Sequence, residues 1–474
     1  MNYDTVIGIE IHIELKTNSK MFSGAPYSFK ASANTCTNEI DLALPGSLPC
    51  VNKQAVVKAL QACYALNLEI DPLIRFDRKN YYYSDLPKGF QITQQFHPLG
   101  KNGYVNIETE EGVKKIRINR IHMEEDTAKQ FHLRSQSLID YNRAGVPLIE
   151  VVSEPDISSG EEAGKYVENL KQIVEYLEVS DAKMEEGSMR CDINISVKEE
   201  GSSKLGTKVE IKNLNSIANI VTAIEYERQR QIDALQKGEV ILQETRRFDE
   251  KNNVTTSMRK KEGSVDYKYF PEPNIFPIRL SEDFLNEVKN NLPELPEAKA
   301  KRFKEDYQLN DYDASLLISN KAMCSYFEEG VKQANNPKSY CNLITSELAG
   351  LLAKNSLDFE NSSISANNLA KLSNMVEDNK ISGKQAKELL TLIDKDQDPE
   401  VLAKEKGMEQ LSDDGLILDL VKQVINENPQ SIIDFKNGKT HVQGFLVGQV
   451  MKKSQGKADP RKAAQLVAQE LAKS

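Results

Sequence analysis

The feature that most constrains this chain is a strand-like alternation that sets ionisable residues against apolar ones. In VIGIEIHIELK, residues 6–16, an extended backbone sends Ile7, Ile9, Ile11, Ile13 and Leu15 to one side. Glu10, His12 and Glu14 go to the other. A polar outer face on a half-buried strand explains such a pattern once, but here it recurs. RIHMEEDTAK carries Glu124, Glu125 and Asp126 after an apolar alternation, and GVPLIEVVSEPD sets Glu150 among Pro147, Leu148, Ile149, Val151 and Val152. GSMRCDINISV puts Arg190, Asp192 and Asn194 opposite Met189, Cys191, Ile193, Ile195 and Val197, while TKVEIKNLNS places Glu210 between Val209 and Ile211. Carboxylates on apolar strands cost free energy unless they are paired, hydrogen-bonded or metal-bound. Five such segments in the first 215 residues therefore point to a shared divalent-ion site. The oxygen-rich donor set favours Mg²⁺, and a histidine among the donors tilts it towards Mn²⁺.

Cations and tyrosines lie close to these acids in sequence. RFDRKNYYYSDLPKGFQITQQ supplies Arg75, Arg78, Lys79, Tyr81, Tyr82, Tyr83 and Lys88. ETRRFDE adds Arg246 and Arg247, and TSMRKKEGSVDYKYFPEP adds Arg259, Lys260, Lys261, Tyr267 and Tyr269. Carboxylate-held metal facing Arg and Lys is the combination that phosphoryl transfer needs, because both share the developing charge. Arg246 and Arg259 are the expected contacts to a nucleotide cofactor. There is no GxxxxGK[ST] loop, no GxGxxG and no GxSxG elbow, so neither a glycine cradle nor a nucleophilic serine is expected. Cys191, beside Asp192 but on the apolar face, reads as a core residue.

Strand patterning dominates up to about residue 290 and then stops, with Pro293 and Pro296 at the change. The expected fold class is α+β: a β-rich domain over residues 1–292, a helical domain over 293–400, and a small helical tail over 408–474, after the charged DKDQDPE segment. The net charge is −10, yet residues 431–474 hold eight Lys/Arg against three acids, a basic tail on an acidic chain. The six cysteines form no CxxC pair, which suits reduced structural thiols. No apolar run approaches a membrane span and the N-terminus has acids where a signal peptide is basic, so the chain reads as cytoplasmic.

Taken together and in order, these segments resemble one family. DLALPGSLP, FDRKNYYYSDLPKGFQITQ, IHMEEDTAK, YNRAGVPLIEVVSEPD, KMEEGSMRCDINIS, TKVEIKNLNS, QETRRFDE, KEGSVDYKYFPEPNI and the tail GFLVGQVMKKSQGKADP look like the B subunit of the bacterial tRNA-dependent amidotransferase. The resemblance runs nearly end to end. It implies a cradle-like catalytic domain that uses ATP and Mg²⁺, or Mn²⁺, to phosphorylate the side-chain carboxylate of Glu-tRNA(Gln), Asp-tRNA(Asn) or both. Ammonia, supplied by a glutaminase A subunit, then attacks the acyl phosphate, and a small C subunit completes the complex. By that resemblance the metal and kinase site draws on Glu10, His12, Glu125, Glu150, Asp192 and Glu210. Lys79, Tyr81 and Lys88 fall in the motif associated with the ammonia passage and the mouth of the site, and the helical and tail domains bind tRNA. Neither a membrane nor DNA is expected as a partner. This chain departs from the family at SYCNLITSEL, where an Asn-Trp pair is frequent, and it contains no Trp. The rival readings are a metal-dependent phosphotransferase or nuclease, and a non-catalytic tRNA scaffold.

Overall fold

The alternation of the opening segment becomes the middle strand of a large sheet. The structure, a computed structural model, describes residues 2–260, 266–394, 396–408, 414–436, 441–454 and 458–473. It divides into two units, Met1–Pro296 and Glu297–Ser474. In chain order the first unit runs β1 (Tyr3–Glu14), α1 (Lys53–Ala65), β2 (Glu69–Ile70), β3 (Leu73–Ile74), β4 (Asp77–Asn80), β5 (Phe90–Thr93), β6 (Gly100–Thr109) and β7 (Gly112–Glu125). It continues with β8 (Lys129–His132), β9 (Ser137–Asp140), β10 (Pro147–Ser153), α2 (Gly160–Tyr176), β11 (Met189–Glu199), β12 (Val209–Leu214) and α3 (Ile217–Gln236). β13 (Glu244–Asp249), β14 (Val254–Lys260), β15 (Phe270–Pro271), β16 (Ile278–Arg279) and α4 (Glu282–Asn290) complete it.

Nine strands form one sheet in the order β14-β13-β12-β11-β1-β10-β7-β6-β2. The pair β12–β13 is parallel, as its connection through α3 requires, and its other pairings are antiparallel. In β1, Ile7, Ile9, Ile11 and Ile13 are at most 1 % exposed, so one face of the sheet is core. Helices α1, α2 and α3 cover that face, contributing Ala59, Leu60, Tyr166, Val167, Leu170, Ile220 and Ile224 to the same cluster. Side-chain oxygens of Asn52, Ser159 and Ser216 cap the three helices at their N-termini, accepting from backbone N–H groups that have no partner within the helix. Helices α2 and α3 approach closely because Gly160 faces Val221, whose carbonyl oxygen would lie 2.9 Å from any Cβ there. Covering one face with helices leaves the other face of the sheet free to carry ionisable groups.

The second unit is built of helices from Pro296–Tyr307 to Pro460–Lys473. Phe303 meets Phe327 edge to face and Phe327 stacks on Tyr340, all three buried, with centroids 5.1 and 5.9 Å apart. The tail helices Asp414–Glu427, His441–Lys453 and Pro460–Lys473 share a separate cluster around Val421, Val424, Leu446, Val450 and Val467. Within SYCNLITSEL the helix passes into a π-helical turn at Leu343–Leu348. The mixed sheet followed by helices makes the chain α+β, and among the described residues no helix is long and apolar enough to cross a membrane.

Candidate active site

Register builds the site. His12 lies across from Glu150 on β10 and from Arg190 on β11, and Glu150 lies across from His122 on β7. One step along, Glu10 faces Asp192, and Asn194 pairs with Glu210, which pairs in turn with Thr245. Opposite residues on neighbouring strands share a face, so these pairings collect residues far apart in sequence into one polar plate.

At its centre His12, Glu124 and Glu150 each offer a ligand atom, all within 4.8 Å of one another. His12 Nε2 lies 3.5 Å from a Glu124 oxygen and 3.8 Å from a Glu150 oxygen. Behind them His122 Nε2 lies 3.0 Å from Glu150 and 3.7 Å from Glu124. Burial on its own disfavours the charged imidazole of His122, but Glu150 and Glu124 reverse that and push its pKa up to about 9. Burial opposes ionisation of Glu150 too, yet His122 and then His12 hold its carboxyl well below the usual range. Among the described residues neither Glu124 nor Glu150 has a Lys or Arg nitrogen within 4.0 Å. Two carboxylates and an imidazole that converge with His122 beside them, and no Lys or Arg paired to them among the described residues, suit a divalent metal. The position of His122 is that of a group orienting a ligand from behind.

A second acidic group occupies the neighbouring strands. Asn194 Nδ2 donates to Glu10 at 2.9 Å, and Thr245 Oγ1 donates to Glu210 at 2.8 Å. The Lys212 ammonium bridges Asp192 and Glu210, with 3.3 Å to the latter. Burial disfavours the ammonium, but those two carboxylates outweigh it and raise its pKa.

Glu125 is turned away from both groups. It sits opposite Pro147 at the end of β7, shares its parity with Ile121 and Met123, pairs with Lys88 and accepts from the Ile92 amide at 2.9 Å. The neighbour that offers an atom to the cluster is Glu124, which shares parity with His122; strict alternation through RIHMEE carried that signal. Arg246 also faces away: its register partner is the core residue Ile211, and its guanidinium is engaged by Glu244 at 2.6 Å and Thr255 at 2.9 Å. Of this adjacent pair, Arg247, level with Lys212, is the one on the site face. Arg259 pairs with Thr245 through the backbone, and its side chain lies outside the described residues. Burial pushes the Cys191 thiol up, as suits a core residue.

The small sheet β15-β4-β5 brings the rim. Lys79 lies 5.0 Å from the ring centroid of Tyr267 and 5.7 Å from that of Tyr81, and its charge is among those acting on Glu150. Burial, then Glu124, raises the Tyr81 hydroxyl, while Tyr269 is raised to about 12 by burial, Tyr267, Glu124 and Glu150. Rings and cluster are thus electrostatic neighbours. A cavity of about 240 Å³ opens beside Lys88, lined by Ile40, Leu44, Arg78 and Phe90 among others.

The model for the GatB/GatE catalytic domain matches residues 5–286, and that for the GatB domain matches residues 325–471. Among curated proteins, the B subunit of the aspartyl/glutamyl-tRNA(Asn/Gln) amidotransferase of Geobacillus thermodenitrificans is 48 % identical over 475 residues, covering 100 % of both chains. The proteins of the same name from Lysinibacillus sphaericus and Clostridium tetani are 46 % and 45 % identical, again over 100 % of each chain. With the catalytic-domain match spanning the acidic face and near-half identity sustained from end to end, the chain belongs to the GatB family of amidotransferase B subunits.

Proposed function

We propose that this chain is the kinase and transamidase subunit that converts Glu-tRNA(Gln), Asp-tRNA(Asn) or both into the corresponding amides with ATP. Its partners are then a glutaminase A subunit and a small C subunit. The observation that carries the reading is the cluster of His12, Glu124 and Glu150 on the open face of the sheet, in a chain of this family. Those three residues would hold a divalent cation, Mg²⁺ or Mn²⁺, and such an ion draws charge from the oxygens of a transferring phosphoryl group. The chain's own residues do the rest. His122 fixes Glu150 from behind, so the ligand set is preorganised. Glu10, Asp192 and Glu210, with Lys212 between the last two, form a second polar group beside it that can take another cation or orient phosphate oxygens. Lys79 and Arg247 add positive charge at the edge.

An acyl phosphate hydrolyses in water, so ammonia has to arrive under cover. The Lys88–Glu125 pair beside the cavity, with Tyr81 and Lys79 nearby, is the proposed route from the glutaminase subunit. The tail from residue 408 and the helices before it are proposed to hold the RNA, mainly through phosphates and the shape of the helix.

The test is amidation by the co-purified complex, with Mg²⁺-ATP, glutamyl-tRNA(Gln) and either glutamine or ammonium. ATP-dependent release of glutamine from the tRNA with both donors is the expected result. Binding of tRNA by an intact complex without conversion would make the chain a scaffold. ATP turnover stimulated equally by uncharged RNA would make it a different phosphotransferase.

A further inference from the structure

The rim carries more aromatic surface than an ammonia route uses. Tyr83, Tyr81, Tyr267, Tyr269 and Phe96 form a chain of five rings, each edge-on to the next, with centroids 6.5, 5.9, 5.8 and 6.1 Å apart. Rings already in edge-to-face contact leave no slot between them. The open faces are therefore at the ends, where Tyr83 is 65 % and Phe96 53 % exposed. Each end of the chain thus offers a ring face that a planar partner can stack on. Their supports are firm: the Asn80 amide side chain donates to the carbonyl of Lys268 at 2.8 Å, and its backbone N–H to that of Tyr267 at 3.0 Å. The Lys79 ammonium lies against the middle of the chain.

Aromatic faces beside a cation are what unpaired nucleic acid uses, since every base has a π-face and every linkage a phosphate. We infer that Tyr83 and Phe96 stack unpaired bases at the 3′ end of the aminoacyl-tRNA, with Lys79 meeting a phosphate of the segment that runs between them. An amino acid esterified to the terminal ribose reaches the acidic cluster only if its base rests outside it, and the ring chain runs from Tyr269, beside Phe96, to Tyr81, beside Tyr83. Two open faces also suit a strand with more than one unpaired base, whereas ATP brings a single adenine. This assignment rests on the tRNA-amidation reading and names the part of the substrate that the rim receives.

The experiment uses the assembled complex with Tyr83→Ala, Phe96→Ala and Tyr83→Trp. Both rings are exposed, so folding is unaffected by their removal. Each alanine variant raises KM for glutamyl-tRNA(Gln) by roughly 5- to 150-fold, the loss that stacking of one base supports. Tyr83→Trp restores it, and KM for ATP does not move. Removing the terminal nucleotides from uncharged tRNA weakens its binding to the unsubstituted complex, but not further to the double alanine variant. An unchanged KM for the RNA, or a rise confined to KM for ATP, overturns the stacking role while leaving the amidation reading intact. Absence of amidation by the unsubstituted complex overturns both.

Discussion

At the residue scale, the proposed ion site turns on which of two adjacent carboxylates reaches the cluster. Glu124 and Glu125 are indistinguishable in charge, but a strand sends them to opposite faces, one to His12 and Glu150 and the other to Lys88. Glu124→Gln is expected to raise the Mn²⁺ concentration needed for half-saturation by an order of magnitude or more. Glu125→Gln should leave ion binding nearly unchanged; titration with Mn²⁺ by electron paramagnetic resonance separates them. His122→Gln, which removes the group behind Glu150, should weaken Mn²⁺ binding by roughly 10- to 100-fold. Equal ion affinity in this variant and the parent would mean that His122 supports packing only. The thiols give a simpler check. Of the six cysteines only Cys50 is exposed, and burial raises the Cys63, Cys191 and Cys341 thiols, the first two strongly. Ellman's reagent should modify about one thiol rapidly in the native protein and none in Cys50→Ser.

At the element scale, β1 connects stability to function. Its apolar face lies under three helices while its polar face supplies Glu10 and His12, so a one-residue slip would exchange the two sets. Ile11 is fully buried directly behind that face, and Ile11→Ala should cost about 2–5 kcal/mol, against roughly 0.5–1.5 for Ile11→Val. The comparison is made by denaturant melts that follow the first unit. A melt of Ile11→Ala unchanged from the parent would show that the sheet core tolerates the cavity. Much of this element was legible in the sequence, because the alternation of β1 and β11 sets apolar against polar residues along most of each strand. The direction of Arg246 was not. TRRFD offers two adjacent arginines, and only the parallel pairing with β12 puts Arg246 level with Ile211 and Arg247 level with Lys212.

At the scale of the whole molecule, an acidic chain presents basic residues in its tail, among them Lys452, Lys453, Arg461, Lys462 and Lys473. If these meet phosphates, deletion from residue 408 weakens tRNA binding by the complex and flattens its dependence on salt, since each lost contact releases one counterion fewer and makes the log–log slope shallower. Affinity and slope both preserved in the truncated complex would assign the tail another task. The tail helices enclose an apolar cluster of their own, so the rest of the chain is expected to stay folded without them.

The sequence by itself determined the strands that carry acids, the change from strand to helix near residue 292, the basic tail and the family resemblance. Each is a local pattern, or a set of local patterns in order, and survives being read along one dimension. The tertiary structure decided which acids meet. His12, Glu124 and Glu150 are joined only by the registers β1–β10 and β10–β7, and registers depend on hydrogen bonds between strands that are not neighbours in sequence. The aromatic rim was decided the same way, because Tyr81 and Tyr267 become neighbours only when β15 pairs with β4. Periodicity tells which side a residue faces, and only the pairing of strands tells what it faces.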